Sequence, residues 1–462
     1  MKHLKKIIPF LALMPFVIGT IGYGIAGEKI TDALYASFAL YFVNPVSDSY
    51  NAFIDISRWS AALVTTSAVI YALRRLWTAA ALFVSGLVKD SIAVYSDSDV
   101  KIKFERPRKG ILYLGNKFNA VPKSQIIIFD SDEHSLQFYE EHKAQLRNRK
   151  VYISLKTINP EALKDNPNIN FFHVGDAVAR TLWKRIALWK QNSEKIEITI
   201  LGTEHLGQCI LNCGLLINLF SPNQEITYNF IGSSSLYRIS HGEINTFNRD
   251  SVRYFNADDK SVTDIIRQSD ITIVSEKTDV ETLQAISVIC GGKILYYSPD
   301  GCIDRYLAFP NVEVFGNDLD TYTDENIRQN KLINSAIDQN HNYLTSRFAR
   351  ADLLDKYSEW NKLNGFLKWS NISSSDYKDV LIYLGKNGAD VEDLSELEHI
   401  RWCRFHILNH WKYGVPENGK AKDPQRKIHQ CLCSYQELSE AYKDNDRMVV
   451  KEALKLAHCS DS

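Results

Sequence analysis

Runs of like charge are missing from this chain: 54 Lys and Arg face 55 Asp and Glu, for a formal net charge of -1 over 462 residues. Without clustered cations to neutralise phosphates, a dedicated nucleic-acid binder is excluded. The first 200 residues also lack cysteine. All eight (Cys209, Cys213, Cys290, Cys302, Cys403, Cys431, Cys433 and Cys459) come later at irregular spacing, which fits a reducing compartment and no disulfide framework. No nucleophile-elbow, P-loop or zinc-protease string occurs, and His205 beside Glu204 has no accompanying nucleophile or paired carboxylate, so no enzyme is expected. His429, Cys431 and Cys433, with His458 and Cys459, lack the matched Cys pairs of a structural zinc site, and no metal is expected there. What is plentiful is apolar residue, 45% against 24% charged, enough for two or three domains with their own cores.

The apolar residues are unevenly spread. Ile7 to Ala26 is almost free of charge and follows Lys2, Lys5 and Lys6; a second block, Trp59 to Leu73, ends in Arg74-Arg75 and resumes as Leu76 to Val88. The first could be a secretory signal, but it is long for one and a second block follows, so two membrane helices are predicted. Positive charge flanks both outer ends, while the connection carries Glu28, Asp32, Asp48 and Asp55 against Lys29. The positive-inside rule then places both termini in the cytoplasm of a bacterial inner membrane. Ile30 to Val43 is apolar and aromatic but too short to cross, which suits a re-entrant helix or a loop packed on the membrane surface. Two spans enclose no pore alone, so conduction would need an oligomer. Thr20-Ile21-Gly22-Tyr23-Gly24 spells a filter-like string, yet it ends the first span, and Asn44-Pro45-Val46-Ser47-Asp48, where a filter belongs, has no glycine.

Beyond Asp90, short β-rich runs alternate with helical ones, the signature of doubly wound α/β folding. In the first half, strands are predicted at Gly110 to Leu114, Gln125 to Phe129, Lys150 to Leu155 and Asn168 to Val174. Gly115 follows the first, and Asp130 and Asp132 stand where a ribose carboxylate would sit, but no second glycine completes a phosphate turn. The second half is better formed: strand Ile196 to Leu201, the turn Gly202-Thr203-Glu204-His205-Leu206-Gly207, helix Gln208 to Phe220 and strand Tyr228 to Ile231. Gly202 and Gly207 would bring the helix N-terminus up to a phosphate. No carboxylate ends the next strand, which runs into Gly232-Ser233-Ser234, and strands at Ser251 to Phe255, Ile271 to Ser275, Lys293 to Ser298 and Val312 to Phe315 complete the sheet. A scaffold that binds no dinucleotide remains the alternative. Over roughly residues 1–318, two spans followed by two such halves resemble the regulator-of-potassium-conductance architecture; Asn170 to Ala177 echoes its strand ending in a glycine-acid turn.

From about Glu325 the chain reads as helical. In Leu394 to Gly414, Glu398, Arg401 and Phe405 share one helix face, and His399, Trp402 and His406 the next. Such a surface suits a flat anionic ligand: Trp402, Trp411 and Tyr413 to stack a base, Arg401 and His399 to meet phosphate. The alternative makes Trp402 and Trp411 core residues among short helices. Glu398-His399, Arg401-Trp402, Trp411 and Tyr413-Gly414, then His429, Tyr435, Leu438 and Asp446, resemble the two core strings of the ryanodine-receptor repeat (RyR) domain. Ala336, His341 and Tyr343, Trp360 and Ser370-Asn371 agree as well, over Ile327 to Leu456. That resemblance implies sensing of a nucleotide-derived ligand, with His341, Tyr343 and Asn371 added to the candidate site.

The expected architecture is therefore two transmembrane helices (residues 1–89), a degenerate Rossmann-like domain (90–192), a second Rossmann-like domain (193–320) and a small α-helical RyR-type domain (325–460). The expected function is a membrane-embedded sensor or effector, tetrameric by analogy. It would bind NAD, an ADP-ribose-like molecule or a cyclic nucleotide, and gate an ion pore or alter permeability in regulated ion transport or antiviral defence. A non-conducting scaffold and a membrane-tethered dinucleotide-dependent enzyme are the alternatives.

Overall fold

The computed structural model describes residues 2–459 except 89, 106, 159–162, 164–168, 192, 306, 348–353 and 418. It divides into two compact units, residues 1–91 and 92–462.

The first unit is α1 (Lys2–Ile25), α2 (Ile30–Ala39), a 3-10 turn (Leu40–Phe42) and α3 (Ala52–Leu87). Small residues let the helices close up, since a Cβ on Gly19 would lie 2.6 Å from the Ser57 hydroxyl and one on Gly22 2.9 Å from Ile54. Tyr23, Ala33, Ala36, Leu40, Ile54 and Ala61 form the small core. Pro15 interrupts the hydrogen-bond ladder of α1. Nearby, the Tyr41 hydroxyl enters the ladder, donating to the Ala12 carbonyl (2.5 Å) and accepting from the Phe16 N–H (3.2 Å). The filter-like string at 20–24 is helical. Of the two expected spans, Ala52–Trp77 is long and apolar enough to cross a membrane, whereas the described apolar length of α1 is Phe10–Ile25, short of the ~20 residues a span needs. Residues 7–9 of the first expected span lie among those whose side chains are outside the described set.

The second unit holds two parallel sheets. The first consists of β1 (Ile92–Ser96), β2 (Ile111–Tyr113), β3 (Ser124–Ile128), β4 (Lys150–Leu155) and β5 (Ile169–His173), in the order β2-β1-β3-β4-β5. The strands predicted from the sequence start at Gly110, so β1, an inner strand lying between β2 and β3, is not among them. Gly115, expected to follow the first strand of this half, follows edge strand β2. The second sheet consists of β6 (Lys195–Leu201), β7 (Glu225–Ile231), β8 (Ser251–Phe255), β9 (Ile271–Val274), β10 (Lys293–Tyr297) and β11 (Val312–Phe315), in the order β11-β10-β9-β6-β7-β8. Its order reverses between β6 and β9, as in doubly wound dinucleotide folds.

Helix α4 (Asp132–Leu146) covers one face of the first sheet through Phe138, Tyr139 and Leu146. Helix α5 (Val174–Ile186) follows β5 directly but packs in the core of the second sheet with α6 (His205–Ile217): Val178, Leu182 and Trp183 are buried there, and Trp183 Nε1 donates to the Ile210 carbonyl at 2.8 Å. In return, after α7 (Ser235–His241), α8 (Val262–Gln268) and α9 (Val280–Ile289), the segment α10 (Asp318–Thr321) and α11 (Asp324–Arg328) comes back to the first sheet. Tyr322 and Ile327 complete its other face, and Lys103 exchanges backbone hydrogen bonds with Tyr322 and Asp324. By packing, the halves exchange segments at Val174 and near Asp318 and do not separate at 192/193.

The helical module contains α12 (Asn330–Arg347), α13 (Lys356–Lys362), α14 (Gly365–Lys386), α15 (Val391–Leu408) and α16 (Glu440–Cys459). A three-stranded patch, β12 (Lys412–Tyr413), β13 (Lys422–Asp423) and β14 (Ile428–His429), lies between the last two. Helix α15 starts at Asp390, whose carboxylate accepts the Glu392 N–H, and its apolar Leu394, Leu397 and Ile400 join the core of the second sheet. Buried on most sides, it must pair its own charges. Arg404, fully buried, spans to the second sheet's side: its guanidinium donates to Asp250 (2.7 Å), Asn248 (2.7 Å) and the Thr246 and Leu215 carbonyls.

Candidate functional site

In open parallel sheets, ligands bind beyond the carboxyl ends of the strands where strand order reverses. At that point of the second sheet lies a cavity of about 690 Å³, within the usual range for small-molecule sites. On one side it is lined by Glu204, His205 and Leu206 of the turn that follows Gly202, with Ser275 and Glu276. The first sheet contributes Ser98, Asp130 and Lys156, and Tyr297, Asp300, Asp318 and Tyr322 close the remaining side. Both sheets thus face one cleft.

The glycine turn is tightly built. Gly202 has φ +103°, and a Cβ on it would lie 2.6 Å from Ser275 Oγ and Glu276 Cγ; a Cβ on Gly207 would lie 2.0 Å from the Gly202 carbonyl. Gly202 therefore shapes the turn, and Gly207 lets α6 pack against it. Yet the place a phosphate would take is bordered by carboxylates: Glu204 immediately precedes α6, and Glu276 accepts its N–H at 3.3 Å. The lining as a whole carries Asp130, Glu204, Glu276, Asp300 and Asp318 against Lys156 and Lys277. Burial, then the neighbouring Asp300, pushes the Asp318 carboxyl up, with Lys156 opposing. Burial also raises the Tyr297 and Tyr322 phenols. Burial, then His173, pushes the His205 imidazole down, favouring its neutral form. The Lys156 ammonium holds Asp130 at 3.3 Å. Such a lining favours hydroxyl groups, aromatic bases and cations over free phosphates.

The expected ligand residues of the helical module are dispersed. Arg401 is 1% exposed; Nε and Nη2 bind the two oxygens of Glu398 at 2.7 and 2.9 Å, and Nη1 donates to Ser373 at 3.0 Å. Glu398 also accepts from Ser374, which accepts from Gln339, so Arg401 belongs to a polar network joining α12, α14 and α15. Buried His399 contacts the Cys433 carbonyl (3.0 Å) and Asp446 (3.3 Å). Half-buried Trp402 sits against His406 and His429, and buried Trp411 stacks on Phe366. Asn371 donates to the Leu367 carbonyl of its own helix. Tyr413 is exposed, Tyr343 is exposed on α12, and the Nδ1 of His341 is buried without a partner. None of these eight lines the cleft; of the four nucleotide candidates Asp130 lines it, Gly202 and Gly207 bound the turn whose Glu204, His205 and Leu206 line it, and Gly115 lies elsewhere. His429, Cys431 and Cys433 do not bring their donor atoms together as a metal-capable group.

Glu276, Asp300, Asp318, Tyr297 and Lys156 escaped the sequence reading. Glu276 and Asp300 do follow predicted strands closely, but which strand ends meet depends on strand order.

Residues 385–461 match the family model of the RyR domain, so the match begins at the end of α14 and leaves the earlier helices outside it. No curated protein and no solved structure matches the chain.

Proposed function

We propose that this protein is a membrane-anchored sensor that binds a nucleotide-derived small molecule between its two parallel sheets and, as an oligomer, converts binding into a change of ion or membrane permeability. The observation that carries the reading is the shared cleft: its walls come from both sheets, and exchange of α5 and α10–α11 couples them, so a ligand there acts on both halves together. The acidic lining favours the nucleoside part, with ribose hydroxyls on Asp130 or Asp318 and a base against Tyr297. Phosphates would require Lys156, Lys277 or an accompanying divalent cation. The RyR-type module acts in this reading as the buttress of the second sheet, with Arg401 and Arg404 as its internal and external ties.

Residues 1–91 serve as the membrane anchor and output. The apolar window of α3 is only 11% buried, unlike the core helix of a soluble protein, and Trp59, Leu63, Ile70, Leu76 and Trp77 are exposed. Lipid or other copies of the chain would cover that surface, with both termini cytoplasmic. Few residues separate α3, ending at Leu87, from β1, an inner strand of the first sheet, which starts at Ile92.

The test is a thermal-stability panel on the full chain in detergent with NAD, ADP-ribose and cyclic dinucleotides, each with and without Mg²⁺. A selective upward shift that Asp318→Ala abolishes and Tyr413→Ala preserves is expected. No shift from a well-folded chain would leave the scaffold reading in its place.

A further inference from the structure

We propose a second, inorganic site: His173, His205 and Cys209 bind a zinc-class divalent ion that ties the first sheet to the second. The proposal does not depend on the organic ligand of the cleft. His173 is the last residue of β5 in the first sheet, whereas His205 opens α6 of the second and Cys209 lies four residues on, on the same helix face. Among the described residues these three form the group of metal-capable side chains whose donor atoms converge, all within 4.8 Å of one another.

One distance matches a tetrahedral edge, and Cys209 Sγ also lies 3.9 Å from Nδ1 of the His173 ring. Zinc bonds of ~2.0–2.1 Å to nitrogen and ~2.3 Å to sulfur place neighbouring donors about 3.3–3.6 Å apart. His205 Nε2 and Cys209 Sγ are 3.6 Å apart. His173 Nε2 and His205 Nε2 are 2.5 Å apart, two ring nitrogens aimed at one point, so a small rotation of either ring opens the edge for an ion. His173 Nδ1 lies 3.2 Å from both the amide nitrogen and Oδ2 of Asp176. It can therefore cap α5 as an acceptor or, as the other tautomer, donate to the carboxylate and free Nε2 for metal, an arrangement common behind metal-bound histidines.

Gly175 supplies an independent sign of a kept space. A Cβ there would lie 2.7 Å from Cys209 Sγ and 3.1 Å from His173 Cε1, so a side chain here would press on the Cys209 thiol and the His173 ring. Gly175 and His205 also line the cleft, which gives water access to a fourth coordination position. One thiolate and two imidazoles select zinc over magnesium or calcium. On binding, the Cys209 thiol releases one proton to solvent, both imidazoles bind as neutral rings with their protons on Nδ1, and no electrons are transferred.

Metal analysis of the full chain, purified in detergent without chelator and then incubated with zinc and desalted, tests this. About one zinc per chain is expected, falling to background in His205→Gln and Cys209→Ser and retained in Cys431→Ser, which removes a cysteine outside the site. Cobalt substitution should add a thiolate-to-metal charge-transfer band lost in the same two variants, and a chelator should lower the thermal midpoint of the wild type. Background zinc in the folded wild type, or undiminished zinc in both variants, would overturn the site. Should either variant fail to fold, the wild-type stoichiometry, cobalt band and chelator shift still decide it.

Discussion

The two parallel sheets carry the same kind of strand and face the same cleft, but they differ in what covers and completes them. In the first sheet no helix lies between β1 and β3 among the described residues, and one face depends on Tyr322 and Ile327, supplied some 200 residues later in the chain. The second sheet has its own α6, α8 and α9, and still recruits α5 from upstream and α15 from downstream. The half whose motif looked best in the sequence is thus the one most dependent on distant segments, and its glycine turn meets carboxylates where a phosphate would bind. A glycine turn reports tight packing first and a ligand only when the surrounding charge agrees.

The largest expected effect comes from cutting the second sheet's tie to the helical module. Arg404→Ala leaves buried Asp250 without its cation and should cost about 3–5 kcal/mol, measured by denaturant unfolding followed through tryptophan fluorescence. A loss below about 1 kcal/mol, the scale of a surface pair, would mean that the second sheet is no more dependent on outside help than the first.

A smaller contrast separates the glycines. Gly207→Ala drives a methyl into the Gly202 carbonyl and should cost about 1–3 kcal/mol. Gly115→Ala, at φ +57° with the Ser96 carbonyl 4.0 Å from the new methyl, should cost about 1 kcal/mol from backbone conformation alone. Equal losses in thermal melts would erase the distinction between a packed turn and a peripheral one.

The smallest effect is a difference of pH slope. Burial pushes the Asp132 carboxyl up, but the Lys156, Thr157 and Ile158 amides and the Thr157 hydroxyl, at 2.6–2.8 Å, outweigh it and hold it below the usual range. With its folded pKa below the unfolded one, its stabilisation is present above the ordinary carboxylate range and is lost as pH falls through the folded value. Asp318 has the opposite sign: its folded pKa is raised, so the native state gains relative to the unfolded as pH falls through the carboxylate range. Acid titration of stability should therefore flatten in Asp132→Asn and steepen in Asp318→Asn. The same change in both would remove this difference between the two carboxylates.

Much of the local structure was legible beforehand. The runs at 125–129, 150–155 and 196–201 alternate or cluster β-branched residues and did become strands, because strand periodicity is local. Strand β1 was not predicted because its run is short, Ile92–Ser96, and is followed by the polar stretch Asp97-Ser98-Asp99. Arg401 shows the complementary failure: charge on a helix face suggests a ligand, but the Glu398 carboxylate three residues earlier satisfies it inside the core. The sign was present in the i, i+3 spacing, which serves an internal pair as well as an external anion.

The sequence by itself determined the apolar N-terminal segments, the alternation of strand and helix after residue 90, and the strings that match the RyR domain, since each depends on neighbours a few residues apart. Only the tertiary structure decided the order of the strands, that α5 and α10–α11 change partners, that Asp130 and Asp318 face one cleft, and that His173 meets His205 and Cys209. Those outcomes depend on burying faces contributed by segments tens to hundreds of residues apart, and that pairing is settled by total packing and charge satisfaction, which local spacing does not encode.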